Sequence, residues 1–260
     1  MPKEVIVVDD GSTDNTSQIQ QDFPHAKYIY QKNSGVSSAR NKGIEHATHE
    51  WIAFLDSDDT WHVDKLFWHV DFHKQNPHAK MSYTDELWVR DDKEVKIPKK
   101  YKKYGGNIFK ECLSHCIIAP SSAILHKSLF DEIGFFDESL EVCEDYDMWL
   151  RVACGYEIGL IDKKLITKYA GHDDQLSFKH WGMDRFRVKA LEKLLITLEV
   201  NQGKAKASLS SGTVGIQALA WAGLIKQELF KKYNLLLKGA VKYDRMSDIE
   251  IYKQKIKRYE

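Results

Sequence analysis

Apolar residues near the start of the chain fall in short, continuous runs, each closed by acidic or turn-forming residues. Val5-Ile6-Val7-Val8 is β-branched throughout and ends in Asp9-Asp10-Gly11-Ser12, which predicts a central strand covered on both faces in a parallel sheet. Ser12-Thr13-Asp14-Asn15-Thr16 then supplies capping side chains for a helix over about Ser17–Asp22. Pro24 ends that helix before a second strand, Lys27–Tyr30. After Asn33-Ser34-Gly35 comes SSARNKGIEHA, rich in helix formers, and then the strand Trp51–Leu55, stopped by Asp56-Ser57-Asp58-Asp59. Strands alternating with helices imply an α/β layered fold that binds ligands outside the carboxyl ends of its strands, where these acids lie.

Farther on, the pattern changes twice. From about Asp91 to Gly106 the chain is polar and basic (DDKEVKIPKKYKKYGG) with no apolar period to hold it on a core, so a loop is expected. A second α/β stretch follows through Ser121–Leu125, with a helix over about Lys127–Ile133 and the turn Gly134-Phe135-Phe136-Asp137-Glu138. From about Asp184 the helical period dominates, predicting two or three packed helices. The chain therefore divides into a catalytic unit over 1–180 and a helical C-terminal extension over 181–260.

Charge narrows the partners. Lys plus Arg equals Asp plus Glu, 38 against 38, so no overall field draws nucleic acid or an anionic membrane. Residues 201–260 are the exception, with 12 Lys plus Arg against 5 Asp plus Glu, a surface suited to an anionic acceptor or peripheral membrane contact, or simply a solvated helix face. No apolar run approaches the roughly 20 residues that span a bilayer, and Pro2-Lys3-Glu4 does not open a signal peptide, so a cytoplasmic protein is expected. Cys112, Cys116, Cys143 and Cys154 form no CxxC pair and read as free thiols.

Three acidic features carry candidate chemistry. Asp56 and Asp58 share one side of an extended segment, a spacing that lets one carboxylate hold a ribose hydroxyl and the other a metal. Asp9 and Asp10 end another strand of the same inferred sheet, so both clusters can meet at one crevice. Glu144-Asp145 opens a helix ahead of Tyr146-Asp147-Met148-Trp149-Leu150. Each has a structural alternative: a solvated turn for Asp56 and Asp58, an Asx-type turn for Asp9 or Asp10, and a helix cap for Glu144-Asp145.

VIVVDDGSTDNT, NSGVSSARNKGIEHA, FLDSDD and IGFFDESLEVCEDYDMWLR, in that order over about residues 3 to 180, resemble the successive signatures of family 2 of the inverting nucleotide-sugar glycosyltransferases. The resemblance implies the GT-A type fold, a Rossmann-like, mainly parallel sheet between helices. It further implies that Asp10 or Asp9 contacts the nucleotide base, that Arg40 lines the base and diphosphate side, and that Asp56 takes the ribose. Asp58 would hold Mg²⁺ or Mn²⁺. Asp145 would be the general base that deprotonates an acceptor hydroxyl, transferring sugar from a nucleotide-diphosphate donor, a UDP-sugar by expectation, with inversion. His172, in YAGHDDQLS, resembles a histidine that can reach the metal; the bland alternative is a solvated loop histidine, and for Arg40 it is a helix-surface ion pair. The chain departs from the family in one respect: a further apolar strand and helix normally precede the VVDDGS strand. That slot would be filled by upstream residues, another segment or another chain, or this chain is a fragment.

Two other classes compete. Asp56-Ser57-Asp58-Asp59-Thr60 after an apolar strand also matches the DxDxT opening of haloacid dehalogenase-like phosphatases, with Asp56 as nucleophile and Asp58 as acid/base. A nucleotide-sugar binding module without turnover is the other.

Overall fold

The structure, a computed structural model, describes residues 1–169, 180–207 and 212–260. β1 (Ile6–Asp10) leads through a 3₁₀ turn (Asn15–Gln18) and α1 (Ile19–Asp22) to β2 (Lys27–Gln31), which pairs in parallel with β1. Gly11 makes the turn after β1 feasible. Its φ of 81° lies in the left-handed region, and a Cβ there would stand 2.7 Å from the Asn33 backbone nitrogen. α2 (Val36–His46) packs back on β1 and leads to β3 (Trp51–Ala53).

The second sheet has six strands: β3, β4 (Asp59–Trp61), β5 (Met81–Arg90), β6 (Lys93–Val95), β7 (Ala123–His126) and β8 (Gly159–Tyr169). Their order is β3-β7-β5-β8-β4, with β6 on β5. α3 (Lys65–Gln75), α4 (Phe109–Cys112), α5 (Ser128–Ile133) and α6 (Glu144–Gly155) complete this part. α6 is buried nearly all round through Tyr146, Met148, Trp149, Leu150, Val152 and Ala153; each large apolar side chain so covered contributes roughly 1.5–3 kcal/mol. α7 (Asp184–Ala207), α8 (Gly212–Lys242) and α9 (Met246–Tyr259) are the three helices expected of the tail, and one hydrophobic core runs from Ile52 and Tyr83 through Trp149 to Leu191, Ile225 and Tyr252.

The α/β layering holds, but three expectations change in detail. β1 is not a central strand with two covered faces: among the described residues it pairs only with β2, and only Asp9 of its five residues is buried. The main sheet is mixed; β5–β8 is its parallel pairing and the other pairings are antiparallel. One antiparallel pair comes from the segment expected to be a loop. Asp91 and Asp92 both take positive φ, 49° and 58°, the backbone of a tight two-residue hairpin, and so fold Lys93–Val95 onto β5.

Candidate active site

α2 gathers the three acidic features. Asp10 accepts from the Ser34 and Gly35 amides, both 2.8 Å, and from Gln31 Nε2 at 2.7 Å, so its carboxylate sits at the amino end of α2, where the helix field favours a negative charge. Asp9 is buried and closes the local turn, accepting from the Ser12 amide at 2.8 Å and from the Tyr28 hydroxyl. Burial alone would raise its pKa, but these hydrogen bonds outweigh it and hold Asp9 below the ordinary carboxylate value. The Asx-type turn belongs to Asp9, and Asp10 caps α2 from a distance.

Arg40 lies about 7.5 Å along α2 from Gly35 by helix rise. Its guanidinium donates to Asp56 Oδ1 at 2.7 Å and to Glu144 Oε1 at 2.6 Å, with its side chain only 10% exposed. It is therefore a buried bridge and not a surface ion pair. Burial opposes its charge, yet Asp56 and Glu144 prevail and raise its pKa. Burial, and after it the Asp145 charge, hold Glu144 above the ordinary carboxylate range in spite of Arg40. The next α2 residue, buried Asn41, donates to the Phe136 carbonyl and accepts from the Phe136 amide, both at 2.9 Å, and Ser37 donates to the Asp137 carbonyl at 3.0 Å. Arg151 grips the same turn from α6 through the carbonyls of Ile133, Gly134 and Phe135. The GFFDE turn thus clasps α2 to α6.

The Asp56 loop hangs on Ser121, whose hydroxyl accepts from the Asp56 amide at 3.0 Å, while the Ser121 carbonyl accepts from Trp61 Nε1 at 2.9 Å. Asp59 is buried, its Oδ2 has no hydrogen-bond partner among the described residues, and burial lifts its pKa to about 6. Asp145 is not the helix cap. That position is Cys143, a non-glycine residue in the left-handed region (φ 65°), a strained conformation of the sort found at functional sites. Asp145 lies in the first turn, its Oδ1 accepting from the Tyr146 amide at 2.6 Å and its Oδ2 from the Cys116 thiol at 3.2 Å. Burial, and then Asp145 itself, keep that thiol protonated. Sequence reasoning missed Ser121, Cys116 and the pairing of Arg40 with Glu144. A serine or cysteine in an apolar stretch carries no signal of such a partner.

His172 lies outside the described residues. Among the described residues no group of three His, Cys, Asp or Glu side chains is disposed to hold a metal. A divalent cation bound with a diphosphate needs only one or two carboxylates, the phosphates and water supplying the rest, and the orphaned Asp59 oxygen shows that this loop has hard-oxygen capacity to spare. Oxygen donors of this kind are the ones such an ion takes. Two surface hollows have none of these acids in their linings. The larger, about 930 Å³, is walled by Val95–Tyr101 and floored by Asp85, Leu87, Trp88 and Leu160.

The sequence model described as "Glycosyl transferase family 2" matches residues 1–134. An uncharacterised glycosyltransferase of Rickettsia conorii is 33% identical over 165 residues, 62% of this chain and 27% of its own length, so this chain spans about a quarter of that relative. The uncharacterised glycosyltransferase YwdF of Bacillus subtilis is 25% identical over 234 residues, 80% of this chain and 84% of its own. The crystal structure of S. aureus TarS 1–349 superposes with a TM-score of 0.56 at 21% identity, covering 100% of this chain and 83% of that one, a likeness of fold.

Proposed function

Since the chain belongs to glycosyl transferase family 2, we propose that it transfers a sugar from a nucleotide-diphosphate donor, a UDP-sugar, to an acceptor hydroxyl with inversion at the anomeric carbon. The observation that carries this reading is the Arg40 bridge: one buried cation draws the Asp56 loop and the Glu144-Asp145 pair, far apart in sequence, to opposite ends of the same guanidinium. In this reading Asp56 holds the ribose, Asp10 or Asp9 reads the base from the foot of α2, and Arg40 sets the distance between donor and base. Arg40 engages Glu144, so Asp145 is the carboxylate left to take the acceptor proton, oriented by the Cys116 thiol and the Tyr146 amide. A divalent ion, Mg²⁺ or Mn²⁺, on Asp58, with His172 as a further ligand, would offset the charge of the two phosphates.

The groove beside Lys96–Lys103, with Tyr101 and Trp88 5.3 Å apart between ring centres, is the acceptor side in this reading. The acceptor itself is a glycan, a lipid-linked sugar or a protein. No helix among the described residues is long and apolar enough to cross a membrane. Exposed Tyr243 and Met246 beside Lys242 and Arg245, at the turn from α8 to α9, support peripheral contact with an anionic surface, on the cytoplasmic side.

The test is turnover of a panel of UDP-sugars with Mn²⁺, scored by UDP release with and without added acceptors, in the wild type and in Asp145→Asn. We expect the variant to lose about 10²- to 10⁴-fold in rate while binding UDP normally. Ordinary turnover by Asp145→Asn moves the base elsewhere. Binding of donor with no turnover by the wild type favours a binding module.

A further inference from the structure

The inward face of the β4–β8–β5 sheet carries a cation that the reading above leaves unused. Register places Lys168 of β8 directly opposite Asp59 of β4 and beside Trp88 of β5, and two residues earlier places Ile166 opposite Trp61 and beside Glu86. Residues paired across neighbouring strands present the same face, with directly opposite Cβ atoms of an antiparallel pair about 4.5–5.5 Å apart. Asp59, Glu86 and Ile166 are all buried, whereas Thr60, on the alternate face of β4, is exposed. Lys168 therefore points inward, toward the acids of the site.

Most acids near Lys168 hold other partners, whereas Asp59, directly opposite, keeps one oxygen without a hydrogen-bond partner among the described residues. Glu86 pairs with Lys103 at 3.0 Å and accepts from Trp88 Nε1 at 2.7 Å, Asp56 is held by Arg40, and Asp145 by Cys116 and Tyr146. Lys168 itself makes no hydrogen bond or ion pair among the described residues, although it is half-buried. Burial works against its charge, but the fields of Glu86, Asp59, Asp145 and Asp56 outweigh burial and keep it protonated. An ammonium in the field of four carboxylates, with no hydrogen bond or ion pair to them among the described residues, suits an arriving anion: the acids keep the charge and a bond is open to the ligand.

We propose that Lys168 is a diphosphate-binding residue, donating to a phosphate oxygen of the nucleotide donor and stabilising the negative charge that gathers on the diphosphate as the bond to the anomeric carbon breaks. This rests on the glycosyltransferase reading. The sugar–oxygen bond breaks with its electron pair going to the leaving diphosphate, the acceptor oxygen bonds to the anomeric carbon, and the acceptor proton goes to Asp145. Lys168 gives up no proton in the step.

Calorimetry on the full chain with Mn²⁺ tests it, using UDP, GDP, CDP and dTDP, each beside its monophosphate, in the wild type, Lys168→Met and Lys168→Arg. For the diphosphate that binds the wild type, Lys168→Met should weaken binding by about 10- to 100-fold, while the matching monophosphate changes by no more than about threefold and Lys168→Arg restores most of the loss. Because Lys168 makes no hydrogen bond or ion pair among the described residues and acts on Asp59 and Glu86 only through its field, Lys168→Met should lower the melting temperature by no more than a few degrees. Unchanged diphosphate affinity in Lys168→Met overturns the proposal. So does an equal loss for both nucleotides with a melting temperature lowered beyond that, which marks a structural lysine. If the wild type binds none of the diphosphates, the donor reading fails first, and that is visible before any variant is made.

Discussion

Replacing Arg40 by methionine should cost far more than breaking a surface ion pair. The side chain is 10% exposed, and its loss leaves Glu144, 9% exposed, and Asp56, 31% exposed, without their cation. Removing one partner of a buried pair costs about 3–5 kcal/mol, because a charge is left desolvated and unpaired. Asp56 reaches water and keeps the Ser121 tether through its amide, so Glu144 bears most of the penalty and the lower end, about 3 kcal/mol, is expected. For a chain of this size that lowers the melting temperature by about 6–12 °C. The deficit has a direction in pH. Glu144 already sits above the ordinary carboxylate range, and without Arg40 it rises further. An acid whose folded pKa exceeds its unfolded value costs stability above the folded pKa, a cost that fades as pH falls through that value. Thermal denaturation of Arg40→Met should therefore show a larger deficit at pH 7.5 than at pH 5, and the double variant Arg40→Met/Glu144→Gln should recover at least half of it at the higher pH. A deficit of no more than about 1 kcal/mol, the most expected of an exposed pair, or one that does not change with pH, would refute the bridge as a buried structural element.

Two further outcomes follow from single carboxylates. Asp58→Ala should abolish the Mn²⁺ dependence of UDP binding, read by calorimetry with and without the ion, and retained metal-dependent affinity removes Asp58 from the metal site and reopens the phosphatase reading. Asp137 is pushed up by burial, but its bonds to Lys193 (2.6 Å) and Ser139 prevail and bring its pKa down to about 2. Its contribution is thus present above the unfolded carboxylate pKa near 4 and is lost as pH falls through about 2; since the pair is largely solvent-screened, between those limits the wild type should lose about 1 kcal/mol more than Asp137→Asn in urea titrations, and parallel curves would contradict the assignment.

What was legible in the sequence is what local pattern can carry. The β-branched run before Asp9-Asp10, the helix formers around Arg40, the apolar side of α6 and the helical period after Asp184 each announce an element, because side-chain spacing and backbone geometry share a period over a few residues. The acids of the site were legible too, since they end strands or open a helix. Their partners were not. Arg40 and Glu144 stand 104 residues apart, and nothing in either stretch says that one guanidinium joins them. Cys116 donates to Asp145 across 29 residues and Lys168 faces Asp59 by sheet register, both set by which strands and helices become neighbours. The same holds for sheet pairing: a run of valines and isoleucines specifies a strand but not how many neighbours it has, so β1 read as central and pairs only with β2 among the described residues. The Asp91-Asp92 turn read as loop because its left-handed backbone, which folds β6 onto β5, leaves no apolar period behind. Composition and period determined the elements and the stock of charges. Tertiary packing alone decided which charges face one another, because a buried pair forms only where the fold removes water from both partners at once.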